Sequence, residues 1–167
     1  MREILLGARR IAVVGLSDNP DRPSHSVASF LKARSYTVVA VNPNVTEVLG
    51  EPSLGSLLDI EGPIDIVNVF RRAEHSPAVA RQAVSVGVDT LWLQLGVVSD
   101  AAISIAEAGG LCAVQDRCIR TEHQRLLGSG ARHLICYAIS HRSLGKFQIG
   151  NSLRSAWEYA DATTSHC

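Results

Sequence analysis

Arg10-Ile11-Ala12-Val13-Val14-Gly15-Leu16-Ser17-Asp18-Asn19-Pro20-Asp21-Arg22-Pro23-Ser24-His25-Ser26 sets the architecture of the chain. Residues 10–15 form a short run rich in β-branched and small apolar side chains that stops at a glycine, which reads as a strand. Residues 24–34 then place Val27, Ala28, Phe30 and Leu31 at helical spacing. Strand, glycine-led polar loop and helix, in that order, are the first part of a βαβ unit.

The alternation continues along the chain. Residues 36–41 predict a second strand, stopped by Asn42-Pro43-Asn44, and 53–58 a short helix. After the Gly62-Pro63 turn, 64–70 predict a third strand, and 74–86 a helix with Ala78, Val79, Ala83 and Val86 on one side. A fourth strand is expected at 89–95, ending at Gly96, then a helix at 99–108 closed by Gly109-Gly110, a fifth strand at 111–115 and a last helix at 119–127. Strands that are continuous apolar runs between helices imply a sheet covered on both faces. The expected fold is therefore α/β: a doubly wound, mostly parallel, five-stranded Rossmann-like sheet with helices on both faces. Residues 1–127 form this domain. Over 128–167 the alternation stops, and the segment reads as a C-terminal tail. It carries four of the chain's eight aromatic residues (Tyr137, Phe147, Trp157 and Tyr159), a composition suited to packing on a protein partner or a second copy.

Composition excludes several classes of function. The chain has 167 residues, 46% hydrophobic and 19% charged, with 16 basic and 16 acidic side chains. A zero net charge lacks the basic excess of a nucleic-acid binder. No apolar run reaches the length of a membrane span, and residues 1–10 show no signal-peptide pattern. A cytoplasmic location is expected. Cys112, Cys118, Cys136 and Cys167 contain no CxxC pair, so neither a zinc site nor a secreted disulfide framework is expected, and the thiols read as free.

In a doubly wound sheet, ligands lie beyond the carboxyl ends of the strands. That rule singles out Gly15-Leu16-Ser17, Asn42-Pro43, Phe70-Arg71-Arg72, Gln94-Leu95-Gly96 and Asp116-Arg117-Cys118. Gly15 permits close backbone approach to a ligand. Pro23 suits the first turn of a helix, whose free N–H groups attract an anion, and Arg22 beside it can pair with phosphate. The loop has no G-x-G-x-x-G, and Asn42 stands where a dinucleotide site places a ribose-binding acid. No P-loop occurs either. The scaffold is of a nucleotide-binding kind without the signature of NAD, FAD or ATP.

These same stretches resemble the small stand-alone CoA-binding proteins, whose domain is also the N-terminal part of the succinyl-CoA synthetase α subunit. The resemblance covers about residues 1–127. It rests on Ala12-Val13-Val14-Gly15-Leu16-Ser17 with Asn19-Pro20-Asp21-Arg22-Pro23-Ser24, on Val41-Asn42-Pro43, and on Asp65-Ile66-Val67-Asn68-Val69-Phe70-Arg71-Arg72. It continues through Trp92-Leu93-Gln94-Leu95-Gly96 and Asp116-Arg117-Cys118-Ile119 with Glu122-His123. What it implies is coenzyme A, or an acyl-CoA, in the crevice. Gly15, Leu16 and Ser17 would approach the pyrophosphate, with Arg22 and Ser24 adding charge and hydroxyl contacts. Asn42 and Pro43 would border the adenosine, and Phe70 and Arg71 would lie along the nucleotide and pantetheine path. Gln94, Gly96, Arg117 and Cys118 would face the far side, where a mixed disulfide between Cys118 and the CoA sulfur is chemically available.

The phosphorylated histidine of succinyl-CoA synthetase lies in a second domain, so His25, His75 and His123 do not inherit that role and read as structural or surface groups. The expectation is a binding, carrier or regulatory module without turnover. Two rivals stand beside it. One is an enzyme, either a nicotinamide-dependent oxidoreductase or a remnant subunit of an acyl-CoA synthetase. The other is an interaction protein with a vestigial crevice.

Overall fold

The computed structural model describes residues 1–128, so the expectations for the tail lie outside the described residues. Strands β1 (Arg10–Val14), β2 (Thr37–Val41), β3 (Glu47–Val48), β4 (Glu51–Leu54), β5 (Ile66–Val69), β6 (Thr90–Leu93) and β7 (Cys112–Val114) form one sheet in the order β3-β4-β2-β1-β5-β6-β7. All neighbours pair in parallel except β3 and β4. Helices α1 (Arg2–Gly7), α2 (Pro23–Lys32), α3 (Ser76–Val86), α4 (Asp100–Ala108) and α5 (Ile119–Leu127) accompany it. The α/β, mostly parallel, Rossmann-like architecture is as expected.

The strand count corrects the five-stranded expectation to seven. The five expected strands are β1, β2, β5, β6 and β7, and the hairpin β3–β4 extends the edge beside β2. Its two-residue turn places Leu49 (φ 56°) and Gly50 (φ 78°) in the left-handed region, the combination that a tight hairpin needs. Two- and four-residue strands, the second holding Pro52, are too short to show a period of two. The helix expected at 53–58 is reduced to a single 3-10 turn, Leu57–Asp59, where the Ser56 hydroxyl accepts from the Leu58 amide at 3.2 Å. Helix α1 adds to the expected elements; it is six residues long and anchored by Leu5, which is buried and whose carbonyl accepts the Tyr36 hydroxyl at 2.8 Å.

Alternation along the buried strands splits the core in two. Ile11, Val13, Ile66 and Trp92 meet Leu5, Val27, Leu31, Tyr36 and Ile119 on the face covered by α1, α2 and α5. Ala12, Val14, Val67, Val69, Leu91 and Leu93 meet Val79, Ala80, Ala83, Ala102 and Ala106 on the face covered by α3 and α4. Buried His123 sits in the first core, edge-to-face with Phe30 and Tyr36 at centroid distances of 5.4 and 5.8 Å, as its structural reading implied. Cys118 is a free thiol, as expected.

Two polar groups have opposite consequences for this core. At the amino end of the sheet, one Asp65 carboxylate oxygen accepts from the amides of Arg9 (2.6 Å) and Arg10 (2.7 Å), tying the start of β1 to the approach to β5. Charge-assisted bonds of this length are worth about 1.5–3 kcal/mol. Asn68, in the middle of β5, is fully buried and neither amide atom has a hydrogen-bond partner. An unsatisfied buried group of this kind costs about 1–3 kcal/mol. We expect Asp65→Ala to lower the free energy of unfolding by about 2 kcal/mol and Asn68→Val to raise it, both read from urea denaturation. A stabilised Asp65→Ala, or a destabilised Asn68→Val, contradicts this account.

Candidate functional site

Strand β1 is the switch point of the sheet: β2 and β4 lie on one side of it, β5, β6 and β7 on the other. Connections leaving neighbouring strands in opposite directions open a crevice at their carboxyl ends. Gly15 closes β1 at its floor. Its φ is +84°, and a Cβ there would stand 3.3 Å from the Phe70 carbonyl carbon and 3.4 Å from Cδ of Arg71. Its amide donates to the Val41 carbonyl and the Phe70 amide to the Val14 carbonyl, both at 2.8 Å, so the three central strand ends are drawn level.

A cavity of about 390 Å³ opens at this point, lined by Gly15, Asn42, Asn44, Phe70, Arg71, Arg72 and His75. The structure thus brings together Gly15, Asn42, Phe70 and Arg71 of the residues singled out by sequence. It adds Asn44 and His75, and it brings in both arginines of the pair after β5. The signal for them was the position of 70–75 beyond a strand end; that a 3-10 turn, Ala73–His75, would carry His75 back to the crevice was not legible.

The loop from Gly15 to α2 is held by its own side chains. The Ser24 hydroxyl accepts from the Ser17 amide (3.1 Å), the Ser17 hydroxyl from the Asn19 amide (3.2 Å) and Asn19 Oδ1 from the Asp21 amide (2.9 Å). Ser17 and Ser24 therefore shape the loop, while the amides of Leu16 and Asp18 have no hydrogen-bond partner among the described residues. The Leu16 side chain is buried in the core, so only its backbone faces the loop. Pro23 occupies the first turn of α2 as expected, with exposed Arg22 at the N-cap.

Asn42 locks the other wall. Its Nδ2 donates to the Leu16 carbonyl (2.8 Å) and its Oδ1 accepts from the Asn44 amide (3.1 Å), while its backbone amide donates to the Leu54 carbonyl (2.8 Å). Exposed Pro43 caps this turn. Sequence reading missed that the Asn42 side chain is spent on holding two loops together.

Gln94, Gly96, Arg117 and Cys118 do not line the cavity. They form a second group at the ends of β6 and β7. The Trp92 indole donates to the Arg117 carbonyl (2.7 Å), and the Gly96 amide to Asp116 Oδ1 (2.8 Å). Gln94 is buried, its Oε1 accepting weakly from the Leu95 amide at 3.4 Å and its Nε2 without a partner. Cys118 is the half-buried N-cap residue of α5, packed on the first core. Arg22, Arg71 and Arg117 share one property: none has an ion-pair partner among the described residues. Three uncommitted guanidiniums thus stand at the carboxyl end of the sheet, where a polyanion would be bound bidentately. No group of three His, Cys, Asp or Glu side chains that could hold a metal ion occurs among the described residues.

Comparison with known proteins agrees with this geometry. The family model of the CoA binding domain matches residues 9–124. An uncharacterized protein of Bacillus subtilis (strain 168), YneT, is 43% identical over 123 residues, covering 74% of this chain and 91% of that protein. A hypothetical protein from Pyrococcus horikoshii OT3 superposes with a TM-score of 0.74 at 37% identity, over 76% of this chain and 89% of that one. The dinucleotide-forming acetyl-coenzyme A synthetase 1 of Ca. Korarchaeum cryptofilum shares the fold at 18% identity (TM-score 0.61), with 70% of this chain matching 28% of that one.

Gly15 is the position to test. A side chain there must adopt φ +84° and push against the Phe70 backbone. Gly15→Val is expected to destabilise the protein by about 1–3 kcal/mol and to narrow the crevice, whereas Gly87→Ala, at an α3 C-cap with open space around it, carries the backbone strain alone. Thermal melts of the two variants check this: equal losses would show that the Phe70 contact does not matter.

Proposed function

The chain belongs to the CoA-binding domain family, and we propose from that premise that its crevice holds coenzyme A or an acyl-CoA. The observation that carries the reading is a glycine-floored crevice lined by uncommitted Arg71, with Arg22 and Arg117 unpaired on neighbouring loops at the same end of the sheet. Gly15 admits the pyrophosphate close to the backbone, and the free amides of Leu16 and Asp18 offer it hydrogen bonds. Arg22 and Arg71 neutralise its charge. Ser17 and Ser24 act by fixing the loop. Asn42, Pro43 and half-buried Phe70 border the adenosine. The pantetheine arm runs toward Gln94, Gly96, Arg117 and Cys118.

A binding, carrier or regulatory module is the role that suits this site, because its side chains are cations and amides shaped to hold an anion. Asn42, at the place of a ribose-binding acid, argues against a nicotinamide cofactor. No described helix is long and apolar enough to cross a membrane.

Titration calorimetry on the full chain tests the proposal, with CoA, NAD and ATP as ligands. CoA should bind, and NAD and ATP should not compete. Loss of one charged hydrogen-bonding group costs about 1.5–3 kcal/mol, so Arg71→Ala and Arg22→Ala should each weaken CoA binding by about tenfold or more. No heat with CoA, or binding indifferent to both substitutions, overturns it.

A further inference from the structure

We infer that the crevice contains a distinct subsite for a phosphomonoester on the ribose of its nucleotide, formed by Arg72 and His75 beside Arg71 and Asn44. The inference rests on the CoA reading and deepens it: CoA differs from its 3′-dephospho form only by such a phosphate.

A ribose diol is usually met by a carboxylate at the end of the second strand. Here that position is Asn42, whose side chain is engaged with Leu16 and Asn44, and no carboxylate is among the cavity-lining residues. The lining side chains that carry donors are Asn42 and Asn44, two guanidiniums and an imidazole. Such a wall satisfies a phosphate better than two hydroxyls.

The turn after β5 explains why Arg72 and His75 act together. Ala73–His75 is a 3-10 turn with Arg72 as its N-cap. Arg72, just before the turn, and His75, at its end, both line the cavity. Neither provides a side-chain cap to the turn or to α3. Their ion-pair partner is Glu74, at 3.8 Å from Arg72 and 3.7 Å from His75, with all three side chains more than 60% exposed. Exposed pairs of this length are weak, so a phosphate of higher charge displaces the carboxylate readily. Glu74 also opposes any anion bound there.

The experiment compares CoA with 3′-dephospho-CoA by calorimetry on the full chain, using wild type, Arg72→Ala/His75→Ala and Glu74→Gln. The wild type should favour CoA by about tenfold or more. The double variant should bind both ligands alike, near the wild-type affinity for the dephospho form, and Glu74→Gln should widen the preference for CoA. Because these side chains are exposed, all three proteins should melt together. Equal binding of both ligands by wild type overturns the subsite and leaves CoA binding standing, as does a preference retained by the double variant. Binding of neither ligand by wild type overturns the CoA reading and the subsite with it.

Discussion

The site depends on how closely two parallel strand ends can approach. β1 and β5 pair from Ile11↔Ile66 to Val14↔Val69, and the next residue of β1 turns away over the backbone of Phe70. A Cβ at that crossing would be strained at φ +84° and tight against the Phe70 backbone at 3.3 Å, which favours glycine there. Because β1 is also where the sheet order reverses, the same crossing opens the crevice. The walls follow from it: the first loop departs on one side, and the Phe70–His75 segment on the other.

Polar groups divide between holding the fold and serving the crevice. At the amino end of the sheet, Asp65 is used entirely on backbone amides. On the first loop, Ser17, Asn19 and Ser24 satisfy amides that would otherwise need water. Asn42 joins that loop to the end of β2. A loop tied at so many points is pre-organised, which reduces the ordering cost when an anion is bound. The guanidiniums at the carboxyl end are left over from this arrangement: those of Arg22, Arg71 and Arg117 have no ion-pair partner among the described residues. A zero net charge over the chain is thus compatible with guanidiniums left unpaired at one end of the sheet.

The larger part of the fold was legible because it rests on local patterns. The apolar runs at β1, β2, β5, β6 and β7 and the helical spacing of α2 to α5 follow from side-chain periodicity, and strand-end geometry then points to Gly15, Asn42, Phe70 and Arg71. The hairpin β3–β4 was hidden because four-residue strands carry no readable period, and α1 because six residues give fewer than two turns.

Periodicity and strand-end position sufficed for the α/β alternation, the parallel sheet and the glycine at the switch point, and the resemblance of the same stretches to known CoA-binding proteins pointed to the family. Three-dimensional packing selected which polar side chains are free. Ser17, Ser24 and Asn42 look like ligand contacts in a loop sequence, and hydrogen bonds within the fold occupy them. Arg72 and His75 look like a solvated charge and a surface histidine, and a 3-10 turn lines them along the crevice. The physical reason is that secondary structure follows from neighbours a few residues apart, whereas the availability of a donor or acceptor depends on partners brought from elsewhere, as Leu16 is to Asn42 across 26 positions.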